Sequence, residues 1–192
     1  MYDITLPCPV EALAGKWKLE LLLGLSGGCV RWSALIRSIP QAAPNVLTRQ
    51  LRSLEESGHV RRMIASAQPP QTVAYALSEQ GQRLVPVLRA LYGWSAREEP
   101  EAGDGLDTCR RVISSRWMLP ILLETGEPAR FGDIQKALEG VARGVLAAQL
   151  QELRDMGLVC QRRYGGFPPR VEYVLSPKGR GLLEILTGQA AG

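Results

Sequence analysis

The chain has 192 residues, 45% of them hydrophobic and 22% charged, with a formal net charge of +4. These are the proportions of an ordinary globular protein of one large or two small domains, not of a disordered or fibrous chain. No apolar run approaches the roughly 20 residues that span a bilayer, since Glu20 and Gly24 interrupt the stretch from Leu19 to Leu25.

In chain order, Val10 to Leu25 shows helical apolar spacing at Leu13, Trp17, Leu21 and Leu25, and Ser26-Gly27-Gly28 ends it. Trp32 to Ser38 is a second, short helix closed by Ile39-Pro40. The third helix, Pro44 to Gly58, is the best punctuated. Pro44 suits a first helical turn, where its missing N–H costs nothing. Leu47, Leu51 and Leu54 repeat on one face, and Gly58 suits the left-handed position that stops a helix. Asn45, Thr48, Arg49 and Arg52 lie opposite the leucines, and their side chains can reach base edges or phosphates. His59 to Ile64 and Thr72 to Leu77 follow as two strands around a Gln68-Pro69-Pro70-Gln71 loop. Ser78 then caps a helix running through Leu84, Leu88, Leu91 and Trp94. Helix, helix, helix, strand, strand, helix is the order of a winged helix-turn-helix, in which the third helix enters the major groove and the hairpin touches the flanking backbone.

The second half repeats the first. Lys16-Trp17 aligns with Arg116-Trp117, Arg31-Trp32 with Arg130-Phe131, and Val46-Leu47 with Val145-Leu146. Gln50-Leu51, Leu54 and Gly58 align with Gln149-Leu150, Leu153 and Gly157. Pro69-Pro70 meets Pro168-Pro169, and Tyr75-Ala76-Leu77-Ser78 meets Tyr173-Val174-Leu175-Ser176. The fold class expected is therefore α+β and mainly helical: tandem duplicated winged helix-turn-helix domains over 1–95 and 106–192, forming a pseudo-dimer. The stretch 96–105 holds Pro100, Gly103, Gly105 and four acidic residues against one basic one, and reads as an exposed acidic linker. Residues 1–95 carry net +4, 96–105 net −3 and 106–192 net +3, so each copy is mildly basic. The helix from Pro177 to Leu186 is the shorter counterpart of the one from Glu79 to Trp94.

Cys8, Cys29, Cys109 and Cys160 form no C-x-x-C pair, and the lone His59 completes no zinc constellation, so neither a metal nor a cofactor is expected. Cys29 and Cys160 read as packing residues. One histidine, no Gly-rich phosphate loop and no nucleophile elbow argue against an enzyme. Met1-Tyr2-Asp3-Ile4 lacks the basic start of a secretory signal. The expected location is the cytoplasm, in association with the nucleoid, without a membrane partner.

Cys8-Pro9-Val10-Glu11, Gly15-Lys16-Trp17, Arg31-Trp32-Ser33-Ala34-Leu35, the third helix through Val60, and the Pro-Pro wing before Tyr75-Ala76-Leu77-Ser78 together resemble the HxlR-type transcriptional regulators of the MarR-like winged-helix group. The second copy matches in its wing, Pro168-Pro169-Arg170-Val171-Glu172-Tyr173, and less in its third helix. The resemblance implies a DNA-binding regulator with repression as the expected outcome. Family members usually hold one domain and work as homodimers, so this chain's two copies can pair within one chain, with further homodimerisation left open. It also implies that Cys8 matches an N-terminal cysteine serving some members as a redox or electrophile sensor. Cys109 sits near the equivalent place, where Arg110-Arg111 would lower its pKa; an inert buried thiol is the alternative.

For DNA, Arg49 is the candidate for a bidentate guanine contact, Asn45 and Thr48 for reading or orienting, and Arg52 for phosphate. In the second copy the corresponding face is altered: Asn45 becomes Gly144, Thr48 becomes Ala147, Arg49 becomes Ala148 and Arg52 becomes Gln151. There Arg143 on the helix, Arg162 and Arg163 on the strand and Arg170 in the wing are candidates for backbone contact. The alternative function is a tandem winged-helix interaction or chromosome-associated scaffold that has lost specific reading.

Overall fold

The computed structural model describes residues 10–64, 72–100, 106–166 and 170–188. It holds two compact units, divided between Gly93 and Trp94, each built as a winged helix.

The first unit opens with α1 (Val10–Leu13) and α2 (Lys18–Leu25), not with one continuous helix. Gly15 at φ +136° and Trp17 at φ +74° break it. The periodicity hides the break because the apolar residues on both sides are still buried, Leu13, Trp17, Leu21 and Leu25 among them. The backbone sets the choice of glycine at 15, since φ +136° strains any residue with a Cβ; Gln50 Oε1 on the third helix, 3.0 Å from where a Cβ would stand, could swing aside. The second unit breaks at the same place, between α7 (Asp107–Ser114) and α8 (Met118–Glu124), by other means. Ser115 Oγ accepts from the backbone N–H groups of Trp117 and Met118, both at 3.3 Å, and donates to Gln149 Oε1 at 2.8 Å.

Next in the first unit come β1 (Val30–Arg31), α3 (Trp32–Ser38), α4 (Pro44–Glu56), β2 (Val60–Ile64) and β3 (Val73–Leu77). The strands form an antiparallel sheet ordered β1-β3-β2, with Val30 opposite Tyr75 and Arg62 opposite Tyr75 on the other side. A two-residue strand has no periodicity to detect, and β1 escapes sequence reading. In the second unit α9 (Phe131–Ala137) and α10 (Arg143–Asp155) precede the β4 (Val159–Tyr164) and β5 (Arg170–Leu175) hairpin. There β1 shrinks to a single bridge, Ala129 to Tyr173, made by N–H···O bonds of 3.0 and 2.8 Å. The loop tips holding Pro69-Pro70 and Pro168-Pro169 lie outside the described residues.

The helix expected from Glu79 to Trp94 is two pieces, α5 (Glu79–Gln82) and α6 (Val85–Glu98). Pro86 explains the restart. It lacks an N–H, so it fits a first turn and not a helix interior. The counterpart α11 (Pro177–Leu186) has its proline at the first position and runs unbroken.

One junction occurs twice. Ser78 Oγ donates to Gly58 O at 2.6 Å and accepts from Gly81 N–H at 3.0 Å. Ser176 does the same with Gly157 O at 2.6 Å and Gly179 N–H at 2.9 Å. The backbone approach is so close that a Cβ on Gly81 would stand 2.1 Å from His59 O, and one on Gly179 2.0 Å from Leu158 O. This junction ties the end of the third helix to the start of the last in each unit.

The stretch read as an exposed linker is ordered at its start. α6 continues to Glu98. Glu99 then accepts hydrogen bonds from Lys178 Nζ at 2.8 Å and from the Thr108 hydroxyl. Acidic composition signals solvation on average, but a partner lysine on α11 overrides it here. The remaining linker residues, 101–105, lie outside the described residues.

Candidate nucleic-acid interface

In α4 the residue pattern divides the helix cleanly. Ala43 caps it in an extended conformation and Pro44 takes the first turn. Leu47, Leu51 and Leu54 are fully buried, each contributing about 1.5–3 kcal/mol. Gly58 at φ +77° turns the chain into β2. Asn45, Thr48, Arg49 and Arg52 are all exposed. At 100° per residue they fall within about 100° of arc, away from the leucines. Asn45 Oδ1 accepts from Val46 N–H at 2.8 Å, and the Thr48 hydroxyl donates to Pro44 O at 2.9 Å. Both side chains are thus held against the helix start, Thr48 with its methyl group and acceptor lone pairs still available. Arg49 and Arg52 have no hydrogen-bond or ion-pair partner among the described residues, so two guanidinium groups stand free on one exposed face.

His59 follows immediately. It is 3% exposed, its Nδ1 lies 3.0 Å from Ser57 Oγ, and its Nε2 has no partner among the described residues. Burial, with the charge of nearby Lys18, lowers its pKa from the ordinary 6.5, and the imidazole is neutral at pH 7.

The second unit keeps the buried side, with Leu146, Leu150 and Leu153 at 0–1% exposure. Its outer face differs. Gly144, Ala147 and Ala148 offer no donor. Gln151 is bound on both sides, accepting from Arg154 at 3.1 Å and donating to Asp155 at 2.7 Å. Arg143 is exposed and stacks over the Phe131 ring, 5.6 Å from its centroid.

The wings differ in the opposite sense. On β4, Arg162 and Arg163 are exposed, and among the described residues their only hydrogen bond is a 3.4 Å one from Arg163 to Gln161. Arg170 is less available than its sequence position suggests. Its Nε donates to Glu172 Oε1 at 2.7 Å, a second nitrogen pairs with the same oxygen, and the guanidinium sits 5.7 Å from the Tyr164 ring centroid. The sequence reading missed Arg61 and Arg62, both exposed on β2. Their signal was present as a second basic pair on the equivalent strand, two residues earlier than Arg162-Arg163.

The cysteine expectations change. Cys109 is fully buried, and burial, with the neighbouring Glu99 carboxylate, pushes its thiol up to about 12. The lowered pKa expected from Arg110-Arg111 is reversed: Arg110 and Lys178 pull it down, but desolvation and Glu99 outweigh them, which leaves the inert buried thiol. Cys29 and Cys160 are exposed, not packed. Cys29 lies in the turn before β1, and Cys160 takes an outward position on β4. Cys8 lies outside the described residues. Among the described residues no cluster of His, Cys, Asp or Glu could hold a metal ion, and no helix is long and apolar enough to cross a membrane.

Two winged-helix units with this helix geometry match the HxlR-like helix-turn-helix family model over residues 12–102 and again over 112–190. The chain belongs to the HxlR-like helix-turn-helix family. Among its relatives, the HTH-type transcriptional regulator YtcD of Bacillus subtilis is 39% identical over 95 residues, 50% of this chain and 75% of that protein. An HTH-type transcriptional regulator of Methanothermobacter thermautotrophicus is 39% identical over 93 residues, 48% of this chain and 70% of that one. The crystal structure of an HTH-type regulator named ytcD aligns with 38% identity over 48% of this chain and 93% of that chain, with a TM-score of 0.45. The HxlR-like family and these relatives are transcriptional regulators, not enzymes.

Proposed function

We propose that the protein is a sequence-specific DNA-binding transcriptional regulator in which α4 enters the major groove and the wings meet the backbone. One observation carries this reading: Asn45, Thr48, Arg49 and Arg52 share one exposed face of α4 whose opposite side is fully buried. A helix anchored by three leucines and presenting two free guanidinium groups is built to meet an anionic surface rich in hydrogen-bond acceptors. Arg49 is assigned to a guanine edge and Arg52 to phosphate. The two domains, 1–95 and 106–192 joined by 96–105, supply in one chain what a homodimer supplies in two, so one chain is the binding species. Its place is then with the nucleoid in the cytoplasm. Repression by occupying a promoter is the outcome assigned to it, since occupancy needs only the binding surface.

An electrophoretic shift of the DNA upstream of the protein's own gene, in excess random duplex at 150 mM salt, tests the binding. A retarded band that survives the competitor supports the reading. Equal competition by random and upstream DNA overturns it and favours the scaffold alternative, to which the donor-free surface of Ala147 and Ala148 on α10 would then belong. A reporter gene behind the shifted fragment tests the direction of regulation, and sedimentation of the complex gives the number of chains per duplex.

A further inference from the structure

The two units carry reciprocal surfaces. In the first, the helix is rich in free donors and the wing is uncharged beyond Arg61 and Arg62 at the base of β2: from Met63 to Ser78 the sequence holds no charged residue, and Met63 and Ile64 are exposed apolar side chains. In the second, the helix face is Gly144, Ala147, Ala148 and a Gln151 already satisfied by Arg154 and Asp155, while the wing strand places Arg162 and Arg163 at the positions of Met63 and Ile64. The strand registers fix this equivalence, because Val60 pairs with Leu77 and Val159 with Leu175. The basic pair therefore lies two residues, roughly 6–7 Å, nearer the wing tip in the second unit than in the first.

Base reading needs directed donors and acceptors, whereas backbone gripping needs only mobile positive charge. The first unit has the former on its helix, with its wing charge confined to the strand base, and the second has the latter further out along its wing. We infer that the two units do different work on one duplex: α4 reads a single half-site, and the β4 wing grips the sugar-phosphate backbone through Arg162 and Arg163 without reading bases. This rests on the DNA-binding function proposed above and specifies its target: a non-palindromic site with one specified half, in place of the inverted repeat that two identical recognition helices would demand.

The test selects binders from a randomised duplex library with the full-length protein, with Arg49→Ala, and with the double variant Arg162→Ala/Arg163→Ala. All three substitutions fall at exposed positions, and thermal melting confirms that each variant is folded. For the unaltered protein the expected motif is one contiguous block with no inverted copy. The wing variant should enrich the same motif, bind it and random duplex more weakly by the same factor, on the order of tenfold, and show a salt dependence shallower by about 2 in log–log slope. Arg49→Ala should lose preference at one position of the motif, with a change in slope below about 1. An inverted-repeat motif, or a wing variant that enriches a different motif, overturns the division of labour and leaves the regulator function standing. Enrichment of no motif by the unaltered protein rejects that function itself, and the division with it.

Discussion

Thr48 and Arg49 are neighbours on the same exposed face, yet they are differently prepared for DNA. The Thr48 hydroxyl already donates to Pro44 O, so it can only accept from a base, and Thr48→Val should cost less than Arg49→Ala. The latter should lose about 1–3 kcal/mol of operator binding if the guanidinium is bidentate on guanine, read as a tenfold or greater rise in Kd by fluorescence anisotropy. His59 supplies a pH prediction. Its folded-state pKa lies below the ordinary 6.5, so as pH falls through about 6.5 the unfolded chain takes up the proton first. Stability is full above that value and declines below it. His59→Leu, which copies Leu158 of the second unit, should flatten the change in urea midpoint between pH 7.5 and pH 5. The thiols give a third expectation: iodoacetamide should modify Cys29 and Cys160 in the folded protein and reach Cys109 only on unfolding, as mass spectrometry would show. Of these environments only the inert buried thiol at Cys109 was among the sequence readings; the exposure of Cys29 and Cys160 and the burial of His59 were not legible, because burial of a single cysteine or histidine depends on what other elements bring against it.

At the scale of elements, legibility followed the length of the repeating pattern. α4 and α10 could be placed from their leucines, and α11 from the repeat, as the counterpart of the helix that Ser78 caps. The break between α1 and α2 could not, because Leu13 and Leu21 stay on the buried side across it, and the interruption lies in the backbone angles of Gly15 and Trp17. Two-residue β1 could not be read for want of a period. The duplicated serine–glycine junction was half visible: the aligned serines, three residues before Gly81 and Gly179, stood out, whereas the carbonyl that each glycine must clear did not. Gly81→Ala and Gly179→Ala force a Cβ to within about 2.1 Å of a backbone oxygen, a clash that only backbone movement relieves. Each should destabilise its own unit by about 2–4 kcal/mol, measured by denaturant unfolding. Ser78→Ala, which removes only the cap, should cost about 1 kcal/mol.

Over the whole molecule, the boundary between units is displaced from where composition suggested. Trp94, on a helix that begins in the first unit, is 1% exposed, and its Nε1 donates to Lys178 O at 3.2 Å. Lys178 in turn pairs with Glu99 and donates to Met156 O, just beyond the last turn of α10, at 3.0 Å. The fold of the second unit is therefore completed by Trp94, read from sequence as part of the first copy, and by Glu99, read as part of the linker. Trp94→Ala in the full chain should lower the calorimetric transition of the second unit by far more than that of the first, the lost packing being worth about 3–5 kcal/mol.

The leucines of α4 and α10 have a further consequence. Because Leu47, Leu51 and Leu54 on one helix and Leu146, Leu150 and Leu153 on the other meet their units in the same way, the outward residues are interchangeable parts on a common chassis. Under the proposed function, writing Asn, Thr, Arg and Arg at 144, 147, 148 and 151 would transplant the first unit's donor face onto the second without touching a core contact. If α4 reads DNA as proposed, the chain offers two equivalent mounts whose outward residues can be altered one at a time within a single polypeptide.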